Sequence, residues 1–180
     1  VIETQRLILR AWRDEDRAPF WALAQDPEVM RYLGTLTRQE ADASIDRMMA
    51  MQDEHGHCFW ALEARDDGRF LGFCGIVPPR EPTFEYEVGW RITRDRWGVG
   101  LAREAAQATL AWAWANLATD TVVAITVRGN ERSWRLMERL GMQRDLGADF
   151  DHPRLPEGDP LRPHILYRIF RPHEARPTPP

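Results

Sequence analysis

The segment FEYEVGWRITRDRWGVGLAREAA, residues 84–106, holds three patterns in succession. Its first part alternates: Tyr86, Val88, Trp90 and Ile92 fall on one side of an extended chain, and Glu85, Glu87, Gly89 and Arg91 on the other. A period of two marks a strand with two unlike faces. From Gly100 the composition turns to alanine and leucine, which predicts a long helix to about Leu117. Between strand and helix lie Gly98 and Gly100, set in a basic stretch. In that order of elements, the unpaired N–H groups of the first helical turn face one small volume, and Arg94, Arg96 and Arg103 add positive charge around it. An anion fits such a place, and so does a glycine turn needed only for packing. Glu104, four positions past Gly100, is expected to point to another side.

Two familiar phosphate motifs fail here. A nucleotide-hydrolase loop needs Lys and Ser or Thr after the glycine, where this chain has Leu101 and Ala102. A dinucleotide fingerprint needs a third glycine at the position of Arg103, and only Asp120 could supply its acidic residue.

Working outward, RLILRAW (6–12) reads as an opening strand, and DRAPFWALAQD as a short helix with Phe20, Leu23 and Ala24 on one face. Thr37 with Glu40 three residues on forms a capping box for a second helix, which buries Ala41, Ile45, Met48 and Met49 and ends at Gly56. HCFWALEAR (57–65) and RFLGFCGIV (69–77), split by Asp-Asp-Gly, predict an antiparallel pair, closed by Pro78, Pro79 and Pro82. TVVAITV (121–127) reads as a central strand parallel to 84–92 across the long helix. Asn130 opens a shorter helix that Gly141 ends. Residues 146–164 are polar and proline-containing, an ordered surface loop near a site, and ILYRIF (165–170) is the last strand. The chain is expected to form one domain over residues 1–171, with a disordered tail at 172–180.

The 180 residues include 28 acidic and 24 basic, a formal net charge of −4, which gives no whole-protein attraction to nucleic acid. Cys58 and Cys74 each lie in an apolar segment and read as buried free thiols in a reducing compartment. The longest apolar block, LAWAWANLA, is far short of the roughly 20 residues that cross a bilayer. A soluble cytoplasmic protein is expected, with no membrane partner. The His, Cys and Asp spacings suggest no metal site.

The run YEVGWRITRDRWGVGLAREAA (86–106), followed by AITVRGNERSWRLMERLGM (124–142), resembles the GCN5-related N-acetyltransferases (GNAT), and within them the ribosomal-protein N-terminal branch, RimJ/RimL-like. The opening TQRLILRAW and the order of elements are similar too. The resemblance implies an α/β fold: a mixed sheet of about six to seven strands, splayed between the fourth and fifth, with about four helices. It implies acetyl-CoA lying in the splay and transfer of its acetyl group to a primary amine. The family's pyrophosphate positions match Trp97, Gly100 and Ala102, the first departing from the general Gln or Arg.

By the same resemblance, backbone from Trp97 through Gly98, Val99, Gly100 and Leu101 to Ala102 holds the pyrophosphate, with Arg94 and Arg96 beside it. Backbone near Val88 and Trp90 faces the thioester, and Asn130 contacts the pantetheine arm or caps its helix. Glu87 is implied as the base, acting through water, with Glu85 as the fallback; the plain alternative is a glutamate that faces solvent or is salt-bridged to Arg91, which shares its side. Many relatives carry a tyrosine where this chain has Met137, so Ser133 or water would serve the leaving thiolate. Trp12, Phe20, Trp21, Met30 and Tyr32 fall where family members shape the acceptor pocket, although core packing accounts for most of them. Asp151, His152 and His164 could line the acceptor side from the late loop. The acceptor itself, a protein N-terminus or a small amine, is left open, as is monomer against homodimer. A non-catalytic acyl-CoA-binding or sensing protein of the same fold is the alternative.

Overall fold

The computed structural model describes residues 1–172; the tail expected to be disordered lies, from residue 173 on, outside the described residues. The chain enters through β1 (Ile2–Glu3) and β2 (Leu7–Arg10), so the opening strand keeps only the aliphatic centre of 6–12. A 3-10 turn at Asp14–Asp16 leads into α1 (Arg17–Ala24), which buries Phe20, Leu23 and Ala24, and then the short α2 (Pro27–Met30). The entry is fixed by a buried ion pair: Asp16 takes two hydrogen bonds from Arg10, at 2.7 and 2.8 Å, and Arg10 also reaches Glu63 at 2.6 Å.

The capping box forms as expected at the start of α3 (Arg38–His55): the Thr37 hydroxyl accepts from the Glu40 amide, and Glu40 accepts from the Thr37 amide at 2.7 Å. Gly56, at φ 77°, ends the helix in the left-handed region. Next come β3 (Phe59–Ala64) and β4 (Phe70–Arg80). Pro78 and Pro79 do not close this hairpin; β4 runs through both. They are tolerated because the β3 pairing ends near Gly75, and because the ladder with the next strand shifts register between Val77 and Arg80.

The alternating stretch forms β5 (Glu85–Ile92), and α4 (Leu101–Asn116) follows the glycine turn. Then come β6 (Thr121–Val127), α5 (Glu131–Arg139), two-residue strands β7 (Gln143–Arg144) and β8 (Phe150–Asp151), and β9 (Pro163–Phe170). Among the described residues, nine strands make one sheet in the order β1-β2-β3-β4-β5-β6-β9-β7, with β8 on β9. Strand pairs are antiparallel except β5 with β6, which are parallel and share one paired position, Glu87 with Val123. Counted from β2, that divergence falls between the fourth and fifth strands, as expected. The extra strands are the short ones, whose two residues carry no readable period.

The sheet has two covered faces. On one, Phe20 of α1 lies against Phe73 of β4, beside Glu87, Gly89 and Arg91 of β5. On the other, α4 lays Ala105, Ala106, Thr109 and Ala113 onto the sheet, close enough for Thr109 to meet Cys74 at 3.6 Å. Fully enclosed side chains such as Leu7, Leu9, Leu62, Leu71, Ile76 and Val88 form the core, each contributing ~1.5–3 kcal/mol by leaving water.

Candidate active site

Beyond the Glu87–Val123 pair, β5 and β6 separate, and Val88 to Ile92 keep a ladder only with β4. Backbone groups on the β6 side of β5 thus lack a strand partner. Polar backbone at such a position needs another partner, water or a ligand. The sheet is therefore split by a cleft lined with free peptide groups, those of Trp90 among them.

At the end of that cleft sits the glycine turn. A 3-10 turn at Arg94–Arg96 brings in Trp97, whose indole N–H donates to the Ile92 carbonyl at 2.8 Å. Gly98 and Gly100 have φ of 78° and 87°. A Cβ would meet nothing within 4 Å at Gly98 and only the Arg6 guanidinium at 3.5 Å at Gly100, so backbone conformation, not crowding, is what requires glycine. No side chain caps α4. Its first amide to reach back is that of Glu104, to the Gly100 carbonyl at 3.1 Å, so the amides of Leu101, Ala102 and Arg103 have no partner within the helix. These groups and the helix dipole favour an anion.

The charges around this turn sort themselves. Glu104 does point elsewhere: it accepts from the Thr4 hydroxyl at 2.6 Å, the Arg6 amide at 2.8 Å and Arg6 Nε at 2.7 Å. Burial opposes its charge, but these bonds outweigh it and hold the carboxyl below its ordinary range. Arg96 is partly engaged by Asp67 at 3.4 Å. Arg103 is exposed beside a surface concavity that also includes Gln5, Arg6 and Gly100. Arg132 of α5 stacks over Trp97 at 4.3 Å, a cation beside the turn that sequence reasoning missed. It lies 35 positions from Trp97, and no local spacing connects the two.

Glu87 stands at the last rung before the cleft opens. Its side chain is 14% exposed, and its nearest cation is Arg80 at 3.9 Å; Arg91, its partner in the salt-bridged alternative, does not reach it. Burial raises its pKa, against the opposing charges of Arg80 and Arg154. Glu85 differs: it is ion-paired to Arg168 and accepts from the Thr121 hydroxyl at 3.3 Å, so the fallback base is already occupied. Between Glu87 and Arg91, the tip of the Phe59 ring rests against Gly89, where a Cβ would come within 2.8 Å of it.

Asn130 does not cap α5; its amide donates to the Thr126 hydroxyl at 3.0 Å, which leaves the side-chain carbonyl free of that bond. Ser133 is partly buried in the first turn of the same helix, while Met137 is enclosed in the core. Tyr32 follows α2 and lays its ring on the Gly129 backbone, 3.2 Å from where a Cβ would be, so it crosses from the α1 side to the far end of β6. Trp12 is corrected to a core residue: it is 6% exposed and donates to the Phe59 carbonyl at 2.6 Å, so it holds Phe59 in place from beneath. Asp151 is exposed and pairs with Arg162 at 3.3 Å. His152 lies 5.0 Å from His164, and burial, followed by the nearby charges of His164, Arg154 and Arg80, lowers its pKa. Cys58 and Cys74 are buried free thiols, as expected. Among the described residues there is no group of three His, Cys, Asp or Glu that could hold a metal ion, and no helix is long and apolar enough to cross a membrane.

A cleft between diverging parallel strands, with an amide-rich glycine turn at one end and a half-shielded carboxylate at the other, has known counterparts. The family described as "Acetyltransferase (GNAT) domain" matches residues 6–143. The uncharacterized protein YkkB of Bacillus subtilis (strain 168) is 34% identical over 142 residues, 77% of this chain and 83% of YkkB. The crystal structure of an acetyltransferase from Agrobacterium tumefaciens str. C58 is similar with a TM-score of 0.78 and 26% identity, over 94% of each chain. In fold alone, RimL, a ribosomal L7/L12 α-N-protein acetyltransferase in complex with coenzyme A, is similar with a TM-score of 0.74 at 11% identity, covering 93% of this chain and 95% of RimL.

Proposed function

Since this chain belongs to the GNAT family and is an acetyltransferase, we propose that it moves the acetyl group of acetyl-CoA directly to a primary amine, with Glu87 as the base. The observation that carries this reading is the position of Glu87: a partly buried carboxylate at the point where β5 and β6 part, with a raised pKa and no short ion pair. Acetyl-CoA supplies an acetyl group activated as a thioester. Its pyrophosphate fits the turn from Trp97 to Ala102, where glycine conformation and free α4 amides supply donors without a side-chain competitor.

An amine must lose a proton before or during attack, since lysine-type and α-amines have reference pKa values near 10.4 and 8. A water held by Glu87 takes that proton, and burial makes this carboxylate a better acceptor near neutral pH than an exposed one. The backbone N–H of Trp90, which lacks a strand partner, stabilises the charge that develops on the carbonyl oxygen. Ser133, or water, donates a hydrogen bond to the departing sulfur, and the Asn130 carbonyl aligns the pantetheine arm. The acceptor enters on the α1 face, where Glu87 points, past Tyr32 and the late loop with Asp151 and His152. The RimJ/RimL-like motifs support an acceptor that is a protein N-terminus or a small amine, in the cytoplasm, with the enzyme a monomer or homodimer.

The test is Glu87→Gln. Thiol release with a reactive amine is expected to fall at least ~100-fold, with acetyl-CoA affinity within about twofold of the parent. Turnover unchanged by the substitution would remove Glu87 from the mechanism. Acetyl-CoA binding without transfer to any amine would favour a sensing role instead.

A further inference from the structure

Four residues beyond Glu87, on the same face of β5, stands a cation to which the fold gives no anion. The Arg91 guanidinium lies over the rings of Phe73 and Phe20, 5.2 and 5.9 Å from their centroids. Its Nε and Nη1 are enclosed, with no hydrogen-bond partner among the described residues. Arg10, by contrast, is met by Asp16 and Glu63, and Arg168 by Glu85 and Asp145. Two aromatic faces attract a guanidinium but accept none of its in-plane N–H groups. Burial lowers the Arg91 pKa to about 10, so the charge persists at neutral pH. An enclosed charge without a partner is among the least favourable arrangements in a fold. The residue is not sealed, since part of it remains accessible to solvent.

The missing partner is an anion that arrives from outside. The donor's phosphates already have the glycine turn, which leads into α4 on the opposite face of the sheet. Arg91 instead shares a face with Glu87, with only Gly89 between them in that register, and the tip of the Phe59 ring covers Gly89. Their Cα atoms are about 13 Å apart by strand rise. That span suits an amine and an acid group separated by a few bonds.

Resting on the acetyltransferase reading above, we propose that Arg91 binds a carboxylate carried by the acceptor, so that the preferred substrates are small primary amines bearing an acid group. With Nε and Nη1 enclosed, the carboxylate meets the guanidinium at Nη2, in a charge-assisted hydrogen bond. Neutral amines and cationic polyamines gain nothing from it.

Matched acceptors test this: γ-aminobutyrate against γ-aminobutyramide, β-alanine against β-alaninamide, and putrescine as the cationic control. In the parent protein kcat/KM is expected to favour each acid over its amide by at least about tenfold, the scale of a hydrogen bond to a charged group. In Arg91→Met that ratio falls towards one while the KM for acetyl-CoA stays unchanged; Arg91→Lys restores part of it. Equal use of acid and amide by the parent overturns the proposal, as does a Met variant that weakens every acceptor alike or raises the KM for acetyl-CoA. Binding of glutarate, measured by calorimetry without turnover, gives an independent reading: saturable in the parent, lost in Arg91→Met. If no amine is acetylated but glutarate binds in this way, the transferase reading fails and Arg91 as an anion site stands. Absence of glutarate binding in the parent overturns the site whatever the turnover.

Discussion

Gly100→Ala isolates what the glycine turn contributes. Gly100 has φ 87° and ψ 2°, and a methyl group there would meet only Arg6 Nη2 at 3.5 Å, an ordinary contact. The penalty is therefore conformational, ~1–2 kcal/mol for holding an L-residue in the left-handed region. In a chain of 180 residues that lowers Tm by about 2–8 °C. Gly68, in the β3–β4 turn, provides the control: its φ is 69° and nothing lies within 4 Å, so Gly68→Ala carries the same penalty far from the cleft. Only at Gly100 does relief of the strain turn peptide amides away from the start of α4. If relaxation recovers ~1.4 kcal/mol in this way, donor binding weakens about tenfold. Thermal melts and the KM for acetyl-CoA under saturating amine measure the two effects. Equal acetyl-CoA KM values for the two variants, or an unchanged Tm in both, would refute the reasoning.

Other consequences can be checked more briefly. Asp16→Ala strips Arg10 of two hydrogen bonds in the buried network at the root of α1, and is expected to lose ~3–5 kcal/mol in urea unfolding; a loss under 1 kcal/mol would show that Glu63 alone suffices. Burial pushes the thiols of Cys58 and Cys74 up to about 12, so native protein should react with a disulfide reagent far more slowly than unfolded protein, and both thiols should appear together on denaturation. Burial raises the Glu87 pKa while Arg80 and Arg154 lower it. Because the base works deprotonated, kcat/KM should rise with pH through a value above the ordinary carboxylate range. Arg80→Gln removes an opposing charge, so this limb should move to still higher pH; a move to lower pH would contradict the assignment.

The parts of this fold legible in sequence are those with local causes. The period of two in 85–92, the Thr37–Glu40 capping box and the strand at 121–127 each follow from neighbouring residues, and each forms within a residue or so of its expected bounds. What was not legible depends on distant partners. Pro78 and Pro79 read as breakers until β3 is seen to stop pairing before them. The place of β9 between β6 and β7 is a long-range pairing with no local signature. The site divides along the same line. Glu87 and the two glycines could be singled out from their own positions, whereas for Asn130 a pantetheine contact and a cap stand side by side until Thr126 takes its amide. Arg91 looked like a partner for Glu87 because both share a face; only the packing of Phe20 and Phe73 around it shows the charge left alone.

The single rung between β5 and β6 also has a mechanical meaning. With one paired position joining them, the two parts of the sheet act as the leaves of a book bound at one end of its spine. The binding is Glu85, gripped across the gap by Arg168 and Thr121, two residues before the carboxylate that faces the cleft. Tyr32, resting on Gly129, links the leaves again at the open side. The width between the leaves is thus set by contacts at its two ends, outside the span where the donor would lie, so the opening can be altered without touching a residue that holds acetyl-CoA.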